Sequence, residues 1–204
     1  MTDAPLKLRR PADEREVGAV ADLVARSFDH LAANHYLVAD PAERLPRMRE
    51  FFRIGTDHAA NGHGEVVFTE DLTGAAVWFD RTRPPAEPVD YEQRLAAAGG
   101  DHLPRFLELD ELLEAHHPEE PHWHLAFLAV DPAYWGQGIG GTLMRHTLDR
   151  LDDDGVPAYL EATNDDNRRL YRSHGFADLT PTEIHLGDGT PFYRMWRPVG
   201  AGRG

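Results

Sequence analysis

The sequence of 204 residues contains no cysteine and a single lysine, Lys7. Without cysteine the chain has no disulfide, no thiolate nucleophile and no cysteine-ligated zinc site, and a cytoplasmic location fits this composition. Because lysine and arginine together number 21, the other twenty basic residues are arginines. We interpret this skew as the mark of a GC-rich genome and infer no chemistry from it.

The chain also lacks long apolar runs and an excess of positive charge. Its apolar runs are all shorter than the roughly 18 residues that a membrane span needs, and its first residues lack the apolar core of a signal peptide. The formal net charge of -14 would repel nucleic acids and anionic lipids. We therefore expect no nucleic-acid or membrane partner and favour a cationic small molecule, although an acidity that serves only solubility is an alternative.

The first half of the chain predicts one strand, two helices and a hairpin. Apolar residues recur with helical spacing after Asp13 and again after Pro41, and a loop joins these two helices. Turn residues separate two strand-like runs and predict a hairpin. The predicted strands are Leu6–Arg9, Glu65–Thr69 and Ala75–Asp80.

Residues 84–121 predict a helical insertion within a single domain that spans residues 1–204. Two helices are expected there, Tyr91–Ala98 and Leu103–Ala115, with a Gly-Gly break between them. The insertion is rich in acidic residues, which more often form a solvated face than a wall of a substrate site. These residues are Glu108, Asp110, Glu111, Glu114, Glu119 and Glu120.

A glycine-rich turn, Gly136 to Gly141, follows the apolar strand His122–Val130 and opens a helix that ends near Leu151. Glycines let backbone N–H groups point toward one centre, and the start of the helix adds its dipole, so the turn can bind an anion such as a pyrophosphate. A second strand, Val156–Ala162, and a short helix, Asp165–His174, come next. The residues after Gly175 have a pattern that predicts two more strands.

The same turn satisfies the G-x-G-x-x-G pattern of dinucleotide-binding oxidoreductases at Gly136, Gly138 and Gly141. This interpretation is disfavoured, because residues 131–135 separate the turn from its strand and about 120 residues precede the unit, which usually opens its domain. A turn that only connects a strand with a helix is a further alternative.

Two motifs in this region resemble the GNAT N-acetyltransferase superfamily. They read Leu128-Ala129-Val130-Asp131-Pro132-x-x-x-Gly136-x-Gly138-Ile139-Gly140 and Asn164-x-x-Asn167-x-x-x-Tyr171-x-x-x-Gly175-Phe176, and they are similar to the branch that includes puromycin N-acetyltransferase. The resemblance implies an α/β fold in which a mixed, mostly antiparallel central sheet carries helices on both faces. It also implies that the sheet splits into a V between strands 122–130 and 156–162.

The resemblance further implies acetyl-CoA as the co-substrate. The pyrophosphate would lie on N–H groups of the glycine turn, and the pantetheine arm would follow the backbone of the strand before it. Trp135 departs from the family pattern, which has arginine or glutamine at this position. The residues expected to bind the co-substrate are Leu128, Ala129, Val130, Gly136, Gln137, Gly138, Ile139, Gly140, Gly141, Asn164, Asn167 and Tyr171.

For catalysis, the resemblance gives Tyr171 the role of the acid that protonates the departing thiolate. The N–H of Val130, next to the bulge that the family shows in this strand, would stabilise the oxyanion. The base stays open between His124, on a strand where arylalkylamine acetyltransferases of the family use histidines, and Glu161, at the end of the neighbouring strand.

The predicted reaction moves an acetyl group directly to the primary amine of a small molecule within a ternary complex. A non-catalytic module of the same fold that senses acyl-CoA is the main alternative, and a homodimer stays open. We expect no metal, because the pairs His116-His117 and His122-x-His124 lack a third and fourth ligand at zinc spacing.

Overall fold

A sheet with the strand order β1-β2-β3-β4-β5-β7-β6 runs through the computed structural model, which describes residues 6–202. Within that range the β4–β5 pair is parallel and every other neighbouring pair is antiparallel. The predicted mixed, mostly antiparallel α/β sheet is therefore confirmed. The strands are β1 Leu8–Arg9, β2 Gly64–Thr69, β3 Gly74–Arg81, β4 His122–Val130, β5 Ala158–Ala162, β6 Ala177–His185 and β7 Pro191–Arg197.

Helices cover both faces of this sheet, as predicted. One face packs against α1 to α5 and the other against α6 and α7, each through its own apolar core. No helix within residues 6–202 is long and apolar enough to cross a membrane. The helices are α1 Glu14–Phe28, α2 Ala32–Leu37, α3 Pro41–His58, α4 Tyr91–Gly99, α5 Leu103–Ala115, α6 Ile139–Asp154 and α7 Asp165–Arg172.

The predicted V lies between β4 and β5. Over the described chain these strands pair at Trp123 with Ala158 and at His124 with Tyr159, and they separate beyond that point. A polar or small-molecule group can therefore reach backbone N–H and C=O groups of β4 that a complete sheet would use for pairing.

A β-bulge interrupts β4 at Ala126, a residue that the pairing with β3 skips. The bulge was expected next to Val130, and that expectation is wrong by four residues. Because an extra residue reverses the alternation of a strand, the bulge sets which N–H groups of the following residues face the opening of the V.

A loop was predicted between the first two predicted helices, and this prediction is wrong in part because Ala32–Leu37 forms the short helix α2. The insertion has its two predicted helices, α4 and α5, and polar contacts fix them to the body. Arg94 of α4 lies 2.7 Å from the carboxylate of Asp57 on α3, and the hydroxyl of Tyr36 donates to Glu108 of α5 over 2.5 Å. The prediction of one domain over residues 1–204 also covers residues 1–5 and 203–204, which lie outside the described residues.

The pair Asp152–Arg197 joins the end of α6 to the end of β7. Both side chains are 2% exposed, and the guanidinium donates to the two carboxylate oxygens over 2.6 and 2.7 Å. Removing one partner of such a buried pair leaves an uncompensated charge, which typically costs about 3–5 kcal/mol. We expect Asp152→Asn to lower the free energy of unfolding by about 3 kcal/mol in urea denaturation.

The exposed pair Lys7–Glu70 supplies the control. Its side chains are 81% and 60% exposed, so Glu70→Ala is expected to cost less than about 1 kcal/mol. Equal losses from Asp152→Asn and Glu70→Ala would contradict the role of the buried pair.

Candidate active site

A cleft with a volume of about 1490 Å³ occupies the V and extends beyond both of its ends. One end lies at the glycine turn and α7, and the other lies among histidines, carboxylates and the insertion. Pockets for one drug-sized ligand measure about 300–1000 Å³, so this cleft has room for two molecules that meet in the middle.

The glycine turn opens toward the first of these ends. Gly136 and Gly138 have φ of 77° and 78°, in the left-handed region that glycine adopts without strain. Gly138 is the N-cap of α6. Because glycine has no side chain, no N-cap side chain bonds to the first N–H groups of this helix in the described structure. Those N–H groups and the helix dipole remain available to an anion, which fits a phosphate group.

Two N–H groups of β4 face the opening of the V. The N–H of Asp131 donates to the carbonyl of Thr73, on the β3 side, over 2.9 Å. Because N–H groups alternate along an extended strand, those of Val130 and Leu128 face the opposite side, where β5 has separated. The N–H of Ala129 faces β3 instead.

The second motif spans α7 from its N-cap to the turn that follows the helix. Asn164 caps this helix by accepting from the N–H of Asn167 over 2.8 Å. Tyr171 lies one turn further along, 7% exposed, and its ring packs against Phe176. Burial raises the pKa of Tyr171, so its hydroxyl keeps its proton at neutral pH. Asn164, Asn167 and Tyr171 all line the cleft.

Trp135 turns its indole back onto the strand. Its N–H donates to the carbonyl of Val130 over 2.8 Å, and its ring lies edge-on to His30 with centroids 5.1 Å apart. The side chain that departs from the family pattern therefore contacts the strand beside the cleft, and it is 53% exposed.

His124 and Glu161 form a hydrogen-bonded pair at the point where β4 and β5 separate. His124 Nε2 lies 2.8 Å from Glu161 Oε2, and the side chains are 10% and 7% exposed. Burial favours the protonated form of Glu161, but the adjacent imidazole of His124 and smaller contributions from other neighbours together outweigh burial, so the pKa of this carboxyl lies below its usual range. The pair thus holds a carboxylate group at the point where β4 and β5 separate.

Further histidines surround this pair. The ring of His117 lies 5.0 Å from the rings of both His122 and His124. His58 and His63 stack with centroids 4.3 Å apart at the rim, where burial lowers the pKa of His58 to about 4. Across residues 6–202, no group of three or more His, Asp or Glu side chains has the geometry of a metal site.

The middle of the cleft is apolar and one wall is acidic. Asp110 and Glu114 of the insertion line it, so part of the predicted acidic face borders the cleft. Asp110 also accepts a hydrogen bond from Tyr91, and burial raises its pKa. The phenylalanines in the lining are Phe28, Phe51, Phe52, Phe79, Phe127 and Phe192.

The structure brings most of the predicted site residues together. Ala129 and Gln137 are the two that lie outside the lining of the cleft; Ala129 is buried in the core on the α1 face and Gln137 is exposed. Those that line it are His124, Leu128, Val130, Gly136, Gly138, Ile139, Gly140, Gly141, Glu161, Asn164, Asn167 and Tyr171.

Comparison with known families decides what kind of cleft this is. The sequence profile of the Acetyltransferase (GNAT) family matches residues 72–176, which is half of the chain. The chain belongs to the GNAT acetyltransferase family. The matched range contains the glycine turn, β4, β5 and α7, so both motifs lie within the region that the acetyltransferase shares with its family.

Relatives of known structure agree on the fold. One solved structure is described as histone acetyltransferase HPA2 and related acetyltransferase from Corynebacterium glutamicum. Its sequence is 23% identical to this chain, the TM-score is 0.72, and the match covers 96% of this chain and 97% of that chain. Arylalkylamine N-acetyltransferase 2 from Aedes aegypti is 13% identical to this chain with a TM-score of 0.60, and the match covers 97% of this chain and 100% of that chain. The PaiA N-acetyltransferase from Thermoplasma acidophilum, solved in complex with coenzyme A, is 13% identical with a TM-score of 0.56, covering 96% and 99%.

A curated relative matches a shorter region. Mycothiol acetyltransferase from Brachybacterium faecium is 44% identical over 62 residues, which is 29% of this chain and 18% of that protein. The chain thus matches less than a fifth of that relative's length. The mostly antiparallel sheet of the acetyltransferase also excludes the dinucleotide-binding fold, whose sheet is parallel.

Gly138→Ala is expected to weaken binding of coenzyme A about tenfold, equivalent to about 1.4 kcal/mol. A Cβ at Gly138 meets no atom of the described chain within 4 Å, so the change acts through its φ of +78° and tilts the N–H groups that start α6. Titration calorimetry with coenzyme A measures the dissociation constant.

Gly155→Ala is the matched control at the other end of α6. Its φ is +69° and its surroundings are equally open, so both variants should lose a similar stability, about 1 kcal/mol. Only Gly138→Ala should lose affinity. Wild-type affinity in Gly138→Ala would remove the turn from the phosphate site.

Proposed function

We propose that this acetyltransferase moves an acetyl group from acetyl-CoA to the primary amine of a small molecule within a ternary complex. The observation that carries the proposal is the single cleft that joins the open start of α6 to the His124–Glu161 pair. Its size suits two substrates at once, and the chain has no cysteine that would carry the acetyl group between them.

The donor half of the proposal rests on backbone groups. The uncapped start of α6 suits the pyrophosphate, and the outward N–H groups of Leu128 and Val130 suit the amide-bearing pantetheine arm. Family members use acetyl-CoA, and the PaiA relative was solved with coenzyme A. The thioester would then lie near Ala126 and Tyr171, in the middle of the cleft.

The acceptor half rests on the apolar centre and the acidic wall. Six phenylalanines suit an apolar or aromatic body, while Glu114 and Glu161 favour a cationic amine, in keeping with the net charge of -14. We therefore propose an amine whose apolar body is large enough to contact the phenylalanine side chains.

In the proposed reaction, the amine first loses a proton to solvent, and the lone pair of the neutral nitrogen then attacks the thioester carbon, so the carbonyl oxygen becomes an oxyanion. The N–H of Val130 donates to that oxygen. As the C–S bond breaks, Tyr171 protonates the thiolate, and the proton from nitrogen passes to His124 or Glu161, directly or through water. Free coenzyme A and the acetamide are the products.

The test follows thiol release with acetyl-CoA and a panel of acceptors. Because the chain has no cysteine, a thiol reagent reports coenzyme A alone. 2-Phenylethylamine should support release, butylamine should have a higher KM because it has a smaller apolar body, and 2-phenylethanol should support none.

Three other outcomes would contradict the proposal. Tight binding of acetyl-CoA with no thiol release from any amine would favour the sensing module, and release with the alcohol would exclude N-specific transfer. Intersecting initial-rate lines are expected for a ternary complex, whereas parallel lines would contradict it. A cytoplasmic location, a place in the puromycin N-acetyltransferase branch and a homodimer stay predictions.

A further inference from the structure

The acid–base pair at the acceptor end shows little of its polar surface to the cleft. His124 Nε2 and Glu161 Oε2 bond to each other over 2.8 Å. Their remaining polar atoms, His124 Nδ1 and Glu161 Oε1, are fully enclosed and have no hydrogen-bond partner within the described residues. In this conformation an acceptor amine has to find a different first contact.

His117 is better exposed to the cleft. It comes from the loop between α5 and β4, lines the cleft and is half-buried. Its Nε2 lies 3.1 Å from Nε2 of His122, whose Nδ1 lies 2.6 Å from the carbonyl oxygen of Glu120. These two contacts fix the orientation of the His117 imidazole through its Nε2 atom.

The contacts define which ring nitrogens carry protons. A carbonyl oxygen only accepts, so Nδ1–H of His122 must donate to Glu120. In a neutral His122, Nε2 is then an acceptor, and Nε2–H of His117 must donate to it. A neutral His117 keeps its lone pair on Nδ1, an atom that bonds to no group of the described chain and is not one of its fully enclosed, unpartnered polar atoms.

The surroundings keep both rings neutral. Burial lowers the pKa of His117 to about 3, and it lowers the pKa of His122 to about 4. The adjacent imidazole of His124 and the more distant guanidinium of Arg81 act in the same direction, while Glu161 opposes them. At neutral pH the pair therefore keeps the arrangement that the contacts require.

We propose that Nδ1 of His117 accepts a hydrogen bond from the acceptor amine and holds the nitrogen for attack, with His122 and the Glu120 carbonyl as positioning groups. The inference rests on the proposed function. An amine that donates one N–H to His117 keeps its lone pair free for the thioester. No proton is transferred to His117 in this step, so the transfer to His124 or Glu161 is unchanged.

Two substitutions of His117 distinguish the roles of its two ring nitrogens. His117→Gln places an amide near the position of Nε2, so it can keep the bond to His122 but offers no acceptor at Nδ1. His117→Asn places an amide oxygen near Nδ1 and loses the bond to His122. We expect His117→Gln to raise the KM for 2-phenylethylamine about tenfold, equivalent to one hydrogen bond, with an unchanged KM for acetyl-CoA. His117→Asn should lose less.

His116→Gln is the control, because His116 Nδ1 donates to the carbonyl of Leu112 over 2.8 Å and the residue does not line the cleft. It should keep the wild-type KM for the amine. A wild-type amine KM in His117→Gln, or a larger loss in His117→Asn than in His117→Gln, would overturn the inference while thiol release by the wild type leaves the proposed function intact.

Nitrogen-15 NMR of the histidine-labelled wild type tests the inference without turnover. At pH 6.5 we expect His117 to be neutral, with the proton on Nε2, and we expect 2-phenylethylamine to shift its Nδ1 resonance. A proton on Nδ1, a cationic ring or an unchanged Nδ1 resonance at saturating amine would each overturn it, even if no amine supports thiol release.

Discussion

Tyr171→Phe is expected to lower kcat about 100-fold or more, because a positioned general acid typically contributes about 10²–10⁴-fold. Tyr171 lines the cleft, and burial raises the pKa of its hydroxyl, so the hydroxyl is protonated when the thiolate leaves. Phenylalanine keeps the ring contact with Phe176 and removes only the hydroxyl. The dissociation constant for coenzyme A should change little, as measured by calorimetry beside steady-state kinetics.

Tyr193→Phe provides the matched control. Tyr193 lies on β7, and the guanidinium carbon of Arg168 lies 4.3 Å from the centroid of its ring. Tyr193 does not line the cleft. Its kcat should equal that of the wild type. An unchanged kcat in Tyr171→Phe would remove the acid role, and a loss confined to coenzyme A affinity would assign the hydroxyl to binding.

The donor end of the cleft could be predicted because its determinants are local. The turn, the strand before it and the start of the next helix are consecutive in sequence, and left-handed φ values at Gly136 and Gly138 are what glycines at these positions suggest. Asn164 and Tyr171 lie on one short helix, so their spacing already defined their relative positions. The V followed from the same motifs through the family resemblance.

The acceptor end could not be predicted in the same way, because tertiary contacts build it from distant segments. Phe28, Phe52 and Phe79 come from α1, α3 and β3, and no periodic pattern links them. His117 lies in a loop, outside any helix or strand, and from the sequence it was considered only as a candidate metal ligand, which its spacing argued against. His122 and His124 are two residues apart on β4 and share one face, but this alternation did not show that His122 would be almost fully buried.

The bulge at Ala126 also escaped prediction at its true position. Neither glycine nor proline marks it, and the apolar run His122–Val130 reads as one continuous strand. Its consequence is a matter of backbone direction: with the extra residue, Leu128 and Val130 direct N–H groups into the V while Ala129 does not. The side-chain pattern alone could not separate these three residues.

Glu161→Gln is expected to lower kcat about 100-fold or more if the carboxylate takes the proton from the amine. The amide keeps the size of the side chain and can still accept from His124, so the loss of charge is isolated. If Glu161 serves instead to attract a cationic amine, the KM for the amine rises while kcat stays near the wild-type value. Steady-state kinetics with 2-phenylethylamine separate the two roles.

Glu65→Gln tests whether any buried carboxylate would give the same result. Glu65 is also enclosed, with a side chain 3% exposed, but it lies outside the cleft and pairs with Arg10 and Arg150. Its loss should reduce stability and leave the kcat of the folded enzyme unchanged. Similar kcat losses in both variants would show that general damage to the core explains them, whereas unchanged kcat and KM in Glu161→Gln would leave His124 as the base.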